Sequence, residues 1–156
     1  MAGVVLTVGL VWFIGSSGER RLDRMENEEQ KKILAAYDQM ISSAEALNID
    51  GLFSHVIEND QGAVVINGEL FLTRAASLER TRANFSGIAR LKYRIAERHI
   101  TMLATDSAVL VASGTSDVEL ADGRKFSNAF AHTLVFVERD GAWRVIHSHQ
   151  SSPVQR

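Results

Sequence analysis

The hydrophobic pattern changes period at Gly87, and this change constrains the fold more than any other feature of the chain. Before it, apolar residues recur every three or four positions. Ile33, Leu34, Tyr37, Met40, Ile41, Ala44 and Leu47 form one stripe, with Glu, Lys and Gln between them. That is the period of a helix with one buried face. After Gly87 the side chains alternate: Leu91, Tyr93 and Ile95 are interleaved with Lys92, Arg94 and Ala96. That is the period of a half-buried strand. Residues 107–120, 125–138 and 142–151 continue in the same way. Their connections are Ala104-Thr105-Asp106, Ala121-Asp122-Gly123 and Arg139-Asp140-Gly141, two of which contain Asp-Gly.

Between the two regimes lie shorter signals. Asn48 and Asp50 each suit the cap of a second helix carrying Leu52, Phe53 and Val56. Residues 63–66 and 69–72 flank Asn67-Gly68, a strong short hairpin signal. Residues 73–85 return to a helical pattern, with Ala75, Leu78, Thr81 or Arg82, and Phe85 on one side. The single proline, Pro153, lies at the end, so nothing interrupts the long elements. The chain reads α-α-(β-β)-α-β-β-β-β. That order predicts an α+β fold with three helices on one face of a curved antiparallel sheet.

Composition bounds the function. A chain of 156 residues makes about one domain. Hydrophobic content of 46% with 23% charged residues supplies a core and excludes general disorder. Seventeen Lys and Arg against 19 Asp and Glu give a net charge of −2, which argues against a nucleic-acid partner. The absence of cysteine excludes disulfides, thiolate chemistry and Cys-based zinc modules.

Residues 2–15 are apolar and uncharged. A helix of that length spans about 21 Å, short of the roughly 30 Å hydrocarbon core. Three readings stand for residues 1–24. They are a signal segment of an exported or periplasmic protein, with Ser16, Ser17 and Gly18 near the cleavage point. They are a short membrane or partner anchor. Or they precede the true start at Met25 of a cytoplasmic protein. Arg20, Arg21 and Arg24 follow the apolar run, the reverse of a signal's charge order. The folded domain is placed at 25–156.

The last strand reads Asp140-Gly141-Ala142-Trp143-Arg144-Val145-Ile146-His147-Ser148-His149-Gln150-Ser151. The pattern D-G-x-W-x-x-x-H-x-H-x-S, closing a chain of this element order, resembles the nuclear transport factor 2-like superfamily. Within it, the chain is similar to the SnoaL-like proteins and to the association domain of calcium/calmodulin-dependent protein kinase II. The resemblance covers about residues 28–153. It implies a cone with a pocket between sheet and helices, and homo-oligomers, most often dimers packed through the sheet. Where the kinase association domain has pocket arginines, this chain has Gly114, Leu134 and Gln150. The Tyr and acidic pair of the ketosteroid isomerase-like members have no counterpart at matching positions.

Turn length decides which side chains face the pocket, because a shift of one residue flips a strand's faces. Three-residue loops, with Gly123 and Gly141 left-handed, place Phe126, Phe130, Leu134, Phe136 and Ile146 under the helices. Two-residue loops place His132 opposite His149 instead. The three-residue form is expected. It also turns Ala112, Gly114, Asn128, His132, Ser148 and Gln150 inward. It leaves Ala129, Ala131, Thr133, Val135, Trp143, Val145, His147 and His149 outward, an apolar surface suited to a dimer contact centred on Trp143, Val145 and His147. A two-residue turn at Thr105-Asp106 points Leu91, Tyr93, Ile95, Glu97 and His99 inward. His99, Ala112, His132 and Ser148 then form one rung.

Two inward residues suit acid/base work without a cofactor. His132 titrates near neutral pH, and burial raises a carboxylate such as Glu97 into the useful range. The plainer alternatives are a core imidazole satisfied by Ser148 or Tyr93, and a rim carboxylate paired with Arg94 or Arg98. Tyr93, Gln150, Ser148, His99, Asn128 and Tyr37 are candidates to hold a ligand by hydrogen bonds. His147 and His149 share a face, yet no third metal ligand accompanies them, so no metal is expected. The expectation is a protein that binds a small, mostly apolar molecule. It either performs cofactor-free isomerase, hydrolase or lyase chemistry or only binds. The alternative is an oligomerisation scaffold.

Overall fold

A computed structural model describes residues 9–58 and 63–152, with side chains from Met25 onward. Three helices and six strands follow the predicted order: α1 (Gly9–Glu45), α2 (Ile49–Phe53), β1 (Ala63–Ile66), β2 (Glu69–Phe71), α3 (Arg74–Phe85), β3 (Ile88–Ala104), β4 (Ser107–Leu120), β5 (Lys125–Arg139) and β6 (Ala142–Ser151). The strands form one curved, unclosed sheet in the order β2-β1-β6-β5-β4-β3, with the helices against it. β3 to β6 are an antiparallel meander, as expected. The sheet is nevertheless mixed, because β1 pairs with β6 in parallel.

Helix α1 starts at Gly9 and runs through Met25 without a break. The three readings of residues 1–24 rest partly on residues 1–8, which lie outside the described residues. Among the described residues no helix is long and apolar enough to cross a membrane. Ile33, Ala36, Tyr37, Met40 and Ala44 are the buried face of α1, at the helical spacing of the sequence pattern. Asn48 caps α2 by accepting from the Gly51 N–H at 2.9 Å. Thr73 caps α3 in the same way through the Ala76 N–H at 3.2 Å. Asn67 and Gly68, at φ 49° and 88°, make the hairpin turn between β1 and β2.

The register of the meander differs from expectation at one turn and along two strands. The loop Ala121-Asp122-Gly123 has three residues with Gly123 left-handed, as predicted. Asp140-Gly141 is instead a two-residue turn with both φ positive, since Arg139 pairs with Ala142. A bulge then places Val135 opposite His147 but Phe136 opposite Val145, so Ile146 is the extra residue of β6. His132 therefore lies opposite Gln150, and Ser148 lies opposite Leu134. The Thr105-Asp106 turn has two residues, as predicted, but β3 shifts register at Leu103, at Ala96 and again at Ala89. Ile95 pairs with Gly114, Glu97 with Ser113 and Arg98 with Ala112. The predicted rung of His99, Ala112, His132 and Ser148 is replaced by Arg98, Ala112, His132 and Gln150.

These shifts decide the faces. Trp143 and Val145, expected on an outer dimer contact, are buried in the core with Phe136, Leu110, Ile33 and Tyr37. The Trp143 Nε1–H donates to Glu29 of α1 at 2.8 Å, tying the last strand to the first helix. Ile146, expected beneath the helices, lies outside this core.

Candidate functional site

The helices do not fill the concave side of the sheet, and a cavity of about 460 Å³ remains between them. This is within the usual range for a small-molecule site. The lining comes from three layers. Tyr37, Met40, Ile41 and Ala44 project from α1. Leu91, Tyr93, Val118, His132, Leu134, Ser148 and Gln150 rise from the sheet. Val64, Ile66 and Asn67 of the hairpin, with Thr81, Asn84 and Phe85 of α3, complete the wall. Most of these side chains are apolar.

His132 is the polar centre of that wall. Its Nδ1 lies 3.2 Å from the Tyr37 hydroxyl. Its Nε2 is buried and has no hydrogen-bond partner among the described residues. Phe130 stands 4.5 Å from the imidazole, centroid to centroid. Tyr93 is set edge-on, at 6.1 Å from His132 and 5.3 Å from Phe130. This apolar enclosure pushes the His132 pKa down to about 4, because burial penalises the imidazolium and no carboxylate compensates. Burial likewise pushes the Tyr93 phenol up to about 12 and raises Tyr37 above its ordinary value. All three groups are neutral near pH 7.

Helix α1 positions Tyr37, which is 1% exposed. The same helix fixes Tyr93, since Glu45 at its C-terminal end accepts from the Tyr93 backbone N–H at 2.8 Å. The Glu45 carboxylate also pairs with Lys92 at 2.7 Å. At the mouth, Arg80 of α3 pairs with Glu69 of β2 at 2.8 Å. Glu69 is the one carboxylate among the described lining residues, and its side chain is 55% exposed.

Of the residues singled out in the sequence, the fold brings Tyr37, Tyr93, Asn128, His132, Ser148 and Gln150 to the cavity. Glu97 and His99 do not reach it. Both are exposed, because the bulges in β3 turn them away from the helices. Their inward placement is thereby corrected. The Thr101 hydroxyl and His99 Nε2 lie 3.3 Å apart on the outer side. His132 is satisfied at Nδ1 by Tyr37, rather than by Ser148 or Tyr93. Sequence reasoning missed Met40, Ile41, Thr81 and Asn84 as wall residues. Thr81, Asn84 and Phe85 recur at helical spacing in α3, a usable signal once the direction of its inner face is known. No group of three or more metal-ligating side chains occurs among the described residues.

A family model described as SnoaL-like domain matches residues 33–155. No curated protein matches the chain at a significant level. Among solved structures, a candidate calcium/calmodulin-dependent protein kinase II association domain from Xanthomonas campestris superposes with a TM-score of 0.68. It is 21% identical, over 80% of this chain and 87% of that one. A candidate scytalone dehydratase from Novosphingobium aromaticivorans gives a TM-score of 0.77 at 11% identity, over 85% of this chain and 89% of that one. A hexachlorocyclohexane dehydrochlorinase gives 0.71 at 13%, over 83% and 88%. At these identities the likeness is one of fold.

Proposed function

Because the chain belongs to the SnoaL-like domain family, we propose that it binds a small, mostly apolar molecule in the cone cavity, with His132 engaging the molecule's polar end. One observation carries this reading. A buried imidazole nitrogen without a partner among the described residues belongs to a wall residue of a mostly apolar cavity of about 460 Å³. Leaving such a group unpaired costs about 1–3 kcal/mol, which a ligand that pairs with it recovers.

Catalysis is the second part of the notion that the fold suggests, since two solved neighbours carry the names of a dehydratase and a dehydrochlorinase. His132 is a weak base here. No carboxylate stabilises its protonated form, and burial keeps it neutral. Binding therefore comes before chemistry in this reading. Assembly into homo-oligomers is compatible with it and goes with the fold of the kinase association domain-like neighbour. Any such contact excludes Trp143 and Val145, which the core holds.

Naphthalene is a suitable first probe. At a hundredfold excess over its dissociation constant it is expected to raise the unfolding midpoint of the full chain by about 5–10 °C. Filling the cavity with Ser116→Trp is expected to abolish the rise. A midpoint that does not move with naphthalene sinks the reading.

A further inference from the structure

We propose that His132 presents Nε2–H to the cavity, so that the bound molecule carries a hydrogen-bond acceptor of the carbonyl type at its inner end. The proposal deepens the binding reading above and rests on it.

The number of hydrogens shared by Tyr37 and His132 fixes the tautomer. The Tyr37 hydroxyl has one hydrogen, and its one hydrogen-bond contact among the described residues is His132 Nδ1, at 3.2 Å. A neutral imidazole carries its hydrogen on either Nδ1 or Nε2. With the hydrogen on Nδ1, that N–H donates to the Tyr37 oxygen. The phenolic hydrogen then has no acceptor, and Nε2 keeps an unused lone pair. Two buried groups are left unpaired. With the hydrogen on Nε2, the Tyr37 O–H donates to Nδ1 and only Nε2–H remains unpaired. Each buried unpaired group is destabilising, so the second arrangement prevails.

Two escapes from this count are closed. A Tyr37 phenolate would accept from Nδ1–H with no hydrogen to spare, but burial holds the phenol protonated. An imidazolium would donate from both nitrogens, but desolvation keeps His132 neutral above about pH 4. The group left unpaired is thus a neutral N–H donor, which pairs with an oxygen lone pair and not with a second donor. His132 and Tyr93 form part of the cavity wall, and the Phe130 ring packs against both. Nε2 is itself covered, so the oxygen reaches it by displacing a neighbouring side chain. Flat apolar walls of this kind suit an aryl or alkenyl ketone.

Two measurements on the full chain test this. With ¹⁵N-labelled histidine, two-bond ¹H–¹⁵N correlation spectra are expected to show a pyrrole-type Nε2 and a pyridine-type Nδ1 for His132. In titrations, 2-acetylnaphthalene is expected to bind about tenfold more tightly than 2-isopropenylnaphthalene, which has CH₂ in place of the ketone oxygen. His132→Phe is expected to erase that preference. A pyridine-type Nε2 overturns the proposal, as do equal affinities for the two probes. In either case, retained binding of both probes leaves the binding reading intact. If neither probe binds, the binding reading falls and the proposal falls with it. The spectra need no variant, so they decide the tautomer even if His132→Phe does not fold.

Discussion

His132 shows how one residue's surroundings set its chemistry. An exposed histidine is partly charged near neutral pH, whereas this one has a pKa of about 4 because the apolar wall penalises its charge. The folded pKa lies below the unfolded value of 6.5, so the unfolded chain binds the proton more readily. Stability from this group is therefore complete above pH 6.5 and is lost as the pH falls toward 4. By pH 4 the loss is on the order of 3 kcal/mol. Urea unfolding of His132→Phe is expected to lose that much less stability than the parent between pH 7 and pH 4. Equal losses in the two proteins would refute a buried neutral imidazole. The residue itself was legible in the sequence, as a histidine in the apolar phase of β5 between Phe130 and Leu134. Its partner was not, because Tyr37 lies 95 positions away on a helix whose rotation only packing determines. Glu97 and His99 were misplaced for a local reason: their strand slips register on either side of them, at Ala96 and Leu103.

The elements were read more accurately than the joints between them. Every helix and strand occurs in the predicted order, since hydrophobic period and turn residues are local properties, although α1 begins at Gly9 rather than at Met25. Bulges are different, because one extra residue flips all side chains beyond it without any sequence mark. The extra Ile146 in β6 is why Trp143 and Val145 are core residues while Ser148 and Gln150 still face the cavity. The bulge at Ala96 has a legible neighbour in Gly114. A side chain there would overlap the Arg94 carbonyl, because β3 and β4 approach closely beside the irregularity. Gly114→Ala is accordingly expected to destabilise the protein by about 1–3 kcal/mol in chemical denaturation. It is also expected to weaken naphthalene binding, because Ser116 of the cavity wall lies two residues further along β4. An unchanged unfolding midpoint would show that the strands can separate there at no cost.

At the scale of the molecule, the cavity exists because the helices cover the curved sheet without filling it. The parallel pairing of β1 with β6 brings the hairpin across the open side. Helix α3 then closes the wall, with the Arg80–Glu69 pair at the mouth. All described α1 residues in the core lie at Ile33 or later, and Glu29 is the one described residue before it that bonds across to the sheet. A chain beginning at Met25 is expected to keep the unfolding free energy of the full chain to within about 0.5 kcal/mol. A larger loss would mean that residues before Met25 belong to the folded unit.

The sequence by itself determined the class of fold and the order of its elements, which follow from short-range periodicity and turn chemistry, and it carried the family resemblance. It also marked His132, Tyr37, Tyr93 and Gln150 as residues worth following. The tertiary structure alone decided which of the marked residues meet. That outcome depends on the register shifts in β3, one in β6 and the rotation of α1, each fixed by the close packing of distant side chains. Strand faces alternate with every residue, so a single unpaired position anywhere along a strand is enough to separate Glu97 from a site and to bury Trp143 in a core.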